Sequence, residues 1–141
     1  MKYAQLALAT ALAAAGAFAT QASASIEAGL PAVKMQGPVS YLTGGIGSDE
    51  AAAMKHAESK YPLSMMFVEH RKPRDEYLAA VAVTITDSKG KAELTTLSDG
   101  PFLLADLPDG KYTVSAVYDG KTLKEHATVA AGKPRQLVFA W

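Results

Sequence analysis

The sequence predicts an all-β sandwich of about seven short strands, with one short N-terminal helix ahead of it and a cleaved signal peptide at the start. Three observations carry that expectation. From Leu63 onward the chain alternates at the strand period, with apolar positions falling on every second residue. Turn chemistry recurs at regular intervals, at Asp87-Ser88-Lys89-Gly90, at Asp119-Gly120 and at Ala131-Gly132-Lys133-Pro134. Only Ala51 to Lys60 is a convincing helix in the mature chain; it is rich in strong helix formers and is ended by Pro62.

Residues 1–24 read as a targeting segment. Lys2 supplies the positive start, Leu6 to Phe18 is an uncharged run of mostly Ala and Leu, and Ala22-Ser23-Ala24 fits the small-residue site of signal peptidase. Thr10, Gly16, Thr20, Gln21 and Ser23 weaken the run as a membrane anchor, so no span is expected after cleavage. The expected compartment is the periplasm, or the medium outside it.

Residues 25–62 form an extended lead-in and the short helix. Pro31, Gly37 and Pro38 interrupt any regular pattern, leaving room for a short strand at Val39 to Leu42. Gly44-Gly45-Ile46-Gly47 precedes Ser48, the expected N-cap, with Asp49 and Glu50 in the first turn and Lys55 and Lys60 toward the end. Ala53, Met54, Ala57 and Tyr61 make one narrow apolar stripe.

Residues 63–141 make the sandwich domain. Leu63, Met65 and Phe67 share one face of a strand and Ser64, Met66 and Val68 the other, which suits a strand covered on both sides or lying under the helix. Glu69 to Glu76 is a polar loop. Ala79 to Thr86 and Lys91 to Leu97 form a hairpin, and Phe102 to Ala105 follows the break at Ser98-Asp99-Gly100-Pro101. Lys111 to Tyr118 and Thr122 to Val129 flank Asp119-Gly120, and Leu137 to Trp141 closes the chain.

Composition excludes several function classes. Fourteen basic residues balance fourteen acidic ones in 141 residues, so no net field draws the chain to nucleic acid or to an anionic membrane. There is no cysteine, which removes disulfides, thiolate metal sites and thiol nucleophiles together.

Phe102-Leu103-Leu104-Ala105-Asp106-Leu107-Pro108-Asp109-Gly110-Lys111-Tyr112-Thr113-Val114-Ser115-Ala116 resembles the aromatic-x-L-x-x-L-P-x-G-x-Y-x-V-x-A pattern of carboxypeptidase regulatory-like domains. Val81 to Gly90 resembles the hairpin that precedes it in that family. The resemblance covers Val81 to Val129 and implies a transthyretin-like (prealbumin-like) sandwich that serves as an accessory module rather than a catalyst. The mature chain also resembles small exported bacterial proteins of unassigned function. Starch-binding-like domains share the fold, which makes a carbohydrate-binding module with exposed aromatics the alternative expectation. The ending Val138-Phe139-Ala140-Trp141 lacks the Tyr-Arg-Gly-Ser tail of the related hydroxyisourate hydrolases, and 141 residues cannot hold a zinc carboxypeptidase domain.

The expected structural corner is Leu107, Pro108, Gly110 and Tyr112, with Pro108 presetting φ, Gly110 permitting a positive φ and the Tyr112 hydroxyl folding back onto the corner. The candidate ligand or partner surface is Gly44, Gly45 and Gly47, as an anion cradle at a helix start, together with Tyr77, Tyr118 and Trp141 as exposed aromatics beside Tyr41. His56, His70 and His126 lack metal-ligand spacing, and Met54, Met65 and Met66 read as core filling rather than copper ligands. Ser48 is not in a nucleophile elbow, and Asp49/Glu50 and Asp75/Glu76 are sequence neighbours in polar surroundings. The functional expectation is therefore a non-enzymatic module, without cofactor or metal, that binds or supports an envelope protein or glycan. A small hydrolase or metal-binding protein is the third reading, since distant residues converge only in a fold.

Overall fold

The computed structural model describes residues 29–141, and the expected signal peptide lies outside them. In chain order the described elements are β1 (Lys34–Gln36), β2 (Val39–Gly44), α1 (Ser48–Ala57) with a 3-10 turn at Glu58–Lys60, β3 (Leu63–Glu69), β4 (Glu76–Tyr77), β5 (Ala82–Asp87), β6 (Ala92–Leu97), β7 (Phe102–Asp106), β8 (Gly110–Tyr118), β9 (Lys121–Val129) and β10 (Arg135–Ala140). The larger sheet runs β1-β2-β7-β3-β10, with β4 paired to the end of β3, and the smaller runs β6-β5-β8-β9. The all-β sandwich is the observed fold.

Alternation builds the interior. Leu63, Met65 and Phe67 of β3 face the smaller sheet and meet Val83 and Ile85 of β5 and Val114 of β8 in one buried cluster. The other side of the larger sheet holds a second buried cluster, Leu42, Phe102 and Leu104 under Met54 and Ala57 of α1. That double burial is why β3 and β7 lack a polar face.

The sequence expects one short strand in the lead-in; the structure makes Val39–Gly44 a full strand of the larger sheet, between β1 and β7. Val39 and Tyr41 face the interior while Leu42 faces the helix, so an apolar-polar alternation never appears there. Two strands were too short to expect: β1 with three residues and β4 with two, the latter starting at the last residue of the expected polar loop. The last strand, β10, lies parallel to β3, setting Phe139 beside Phe67. A parallel pair needs a long connection, and here the whole smaller sheet and β7 intervene.

Turn residues behave as their chemistry dictates. Asp119 and Gly120 have φ of 48° and 71°, the two positive values that a tight hairpin between right-twisted strands requires. Asp87 Oδ1 accepts the N–H groups of Lys89 and Lys91, each at 2.9 Å, and these bonds hold its carboxyl below the usual aspartate range. The N-cap of α1 is Gly47, not the expected Ser48, because the cap backbone sits at φ 89°, where a β-carbon is strained.

Candidate functional site

The glycine run forms a closed junction, not an open cradle. Gly44 and Gly45 are buried and Gly47 is exposed. The Gly45 N–H donates to Glu50 Oε1 at 2.7 Å, so the chain's own carboxylate sits where an anion would have to bind. Gly44 is packed against the backbone of Gly100, where an added β-carbon would lie 2.5 Å from the Gly44 carbonyl carbon and oxygen. Thr43 locks the same junction: its buried hydroxyl donates to the Phe102 carbonyl at 2.8 Å and accepts the Asp99 N–H at 3.1 Å. At Gly44 and Gly45, where the sequence expects an anion cradle, the structure places a carboxylate and a close backbone approach.

The candidate aromatics fall in three places. Tyr41 is buried between the sheets. Tyr118 and Trp141 are half-buried and meet edge to face, ring centroids 5.8 Å apart, with the Trp141 ring also stacked on Phe139. The Trp141 indole N–H donates to the Lys121 carbonyl at 3.0 Å. These two rings close one end of the sandwich interior, which spends their faces on packing. Only Tyr77 is largely open, at 52% exposure, and it lies on the opposite side of the larger sheet. Two open rings on one face, the requirement for stacking a sugar, are not assembled from this set among the described residues.

Tyr77 instead has a local setting that the sequence did not signal. Its ring lies 5.7 Å from Phe102, and Lys55 Nζ of α1 sits 5.6 Å from the Tyr77 centroid. Register places Tyr77, Val68 and Ala140 in one cross-strand row and Met66 and Val138 in the next, on the same face. The helix covers the Phe102 side of this grid, while Val138 remains 48% exposed. The result is an apolar strip beside α1 with one lysine at its rim.

Titratable groups are scattered over the surface. His70 Nδ1 meets Asp75 at 3.0 Å in an exposed loop, and His126 Nδ1 meets the Thr113 hydroxyl at 3.1 Å on the outer face of the smaller sheet. Arg71 is shared between Glu69 and Glu76, at 3.1 and 3.5 Å. Burial raises the Glu58 carboxyl above the usual range even though Gln136 donates to it. Among the described residues no three His, Asp or Glu side chains are placed to hold a metal ion. Met54 and Met66 belong to the helix-side cluster and Met65 to the interior, so the thioethers do not converge. No helix among the described residues is long and apolar enough to cross a membrane.

The corner between β7 and β8 carries the sheet-to-sheet crossing. Leu107 is buried, and the Tyr112 hydroxyl donates to the Pro108 carbonyl at 2.7 Å while its ring packs in the interior. Gly110 has φ 159°, at the edge of extended backbone, and a β-carbon there would meet only the Tyr112 ring, at 3.7 Å or beyond. Residues 71–141 match the family model described as the carboxypeptidase regulatory-like domain. The chain belongs to the carboxypeptidase regulatory-like domain family. The match extends the expected Val81 to Val129 in both directions, taking in β4 and β10. A search of curated proteins finds no match to the chain. A regulatory-like β-sandwich is consistent with a non-enzymatic module.

Proposed function

We propose that this regulatory-like domain protein is an exported, non-catalytic module that binds another protein of the cell envelope through the outer face of its larger sheet. The observation that carries the reading is the apolar strip beside α1 in which Tyr77 and Val138 stand exposed over half-buried Met66 and Ala140 and buried Val68. Lys55 at the rim suits a partner segment that is apolar with an acidic group next to it. Family membership supports the non-catalytic part, and the Ala-rich start with Ala22-Ser23-Ala24 supports export. A glycan partner gains no support, because stacking rings are not gathered on one face among the described residues.

The experiment is co-purification from envelope fractions with wild type and with Tyr77→Asp/Val138→Asp. Both substitutions are at exposed positions, and the buried cluster between the sheets contains neither residue. The reading expects one envelope protein held by wild type and lost with the double variant; equal recovery with both proteins counts against it.

A further inference from the structure

We propose that β6 is a strand-addition edge for a second copy of this chain, and that the Gln36 side chain masks it. The two edges of the smaller sheet are β6 and β9, and they are guarded differently. On β9, Glu125 pairs opposite the core residue Val114 and so points to the inner side of the sheet while remaining exposed, an inward charge that repels an added strand. Beyond the bulge, where Glu93 lies near Asp87 and Tyr112, the core-facing residues of β6 are the uncharged Leu94 and Thr96, and Leu97 stands 56% exposed.

What covers β6 is β1. The Gln36 amide nitrogen donates to the Thr95 carbonyl at 2.9 Å, and the Gln36 amide oxygen accepts the Thr95 N–H at 2.7 Å. This pair of bonds is what a residue of an antiparallel neighbour would give Thr95. One side chain therefore stands in for a strand. Beside it, Lys34 Nζ reaches Asp99 Oδ2 at 2.6 Å. Both contacts are exposed, and β1 is a three-residue strand held otherwise only by β2, so the cover is weakly attached.

A second copy fits the uncovered edge by its own symmetry. Antiparallel pairing of β6 with β6 about Thr95 lets each Thr95 take both backbone bonds now made by Gln36. The bulge between Ile85 and Thr86 disturbs only the Ala92 end of β6.

The test is sedimentation of purified Gln36→Leu, wild type, and Gln36→Leu/Thr95→Pro. Proline at 95 removes the outward N–H without touching the β5 ladder. The proposal expects a monomeric wild type, dimerisation of Gln36→Leu tightened at least about tenfold, and a return to monomer with the added proline. Gln36→Leu that stays monomeric at about 1 mM overturns it, as does a dimer that survives Thr95→Pro or a wild-type dimer that Thr95→Pro abolishes. Should Gln36→Leu fail to fold, hydrogen exchange of the wild type decides. The Thr95 amide must exchange well behind that of Leu97, and equal rates overturn the proposal.

Discussion

The Tyr112 hydroxyl donates to the Pro108 carbonyl at 2.7 Å, back across the corner where the chain leaves the larger sheet for the smaller. Tyr112 sits opposite Ala127 on β9 and Asp87 on β5, so the residue that bonds the corner stands in the central part of the smaller sheet's ladder.

Replacing Tyr112 by Phe keeps the ring and removes the bond. Pro108 is exposed, so water can reach its carbonyl, and the expected cost is about 1 kcal/mol in urea unfolding. Tyr118→Phe, whose ring packs on Trp141 without a hydroxyl bond among the described residues, should stay within about 0.5 kcal/mol.

The same hydroxyl sets a pH dependence. Burial raises the Tyr112 ionisation above the ordinary tyrosine value of about 10. Its folded value is therefore higher than its unfolded one, and the stabilisation is complete below about pH 10 and lost as pH rises through the folded value. Urea midpoints of wild type and Tyr112→Phe should therefore differ by a constant amount up to about pH 9.5 and converge above it.

Gly100→Ala tests the junction. Its β-carbon would overlap the Gly44 backbone, which cannot rotate away, so the expected loss is roughly 3 kcal/mol or more. At Gly90 no atom lies within 4 Å and only the φ of 81° opposes a side chain, so Gly90→Ala should cost about 1 kcal/mol. Comparable costs for the two would mean the sheet-end contact is not tight.

Glu50→Gln tests the closed glycine run. A carboxylate accepting the Gly45 N–H is a charge-assisted bond, and its neutral replacement should cost about 1 kcal/mol by urea unfolding. Phosphate should not stabilise wild type in the same assay.

Much of this architecture was legible because the strands of the smaller sheet carry their own alternation and each hairpin its own turn residues. The Tyr112 corner was legible for the same reason: donor and acceptor are four residues apart. What was not legible is made by partners distant in sequence. Gln36 and Thr95 are 59 residues apart, and nothing near Gln36 announces an amide clamp. Gly100 lies in an Asp-Gly-Pro run that reads as turn chemistry, yet its need for glycine comes from Gly44 on another strand. The exposure of Tyr77 depends on where α1 comes to rest, which the helix stripe does not specify, and the burial of Tyr41 depends on the smaller sheet packing over β2.

The central claim is that the outer face of the larger sheet beside α1 is the working surface. Site-specific photo-crosslinking in intact cells tests it most directly, with a photoreactive residue at Tyr77, at Val138, or at Thr128 on the outer face of the smaller sheet. The account predicts one shared adduct of an envelope protein from positions 77 and 138 and none from 128. Adducts from 128 alone, or no adduct from either 77 or 138, would contradict it.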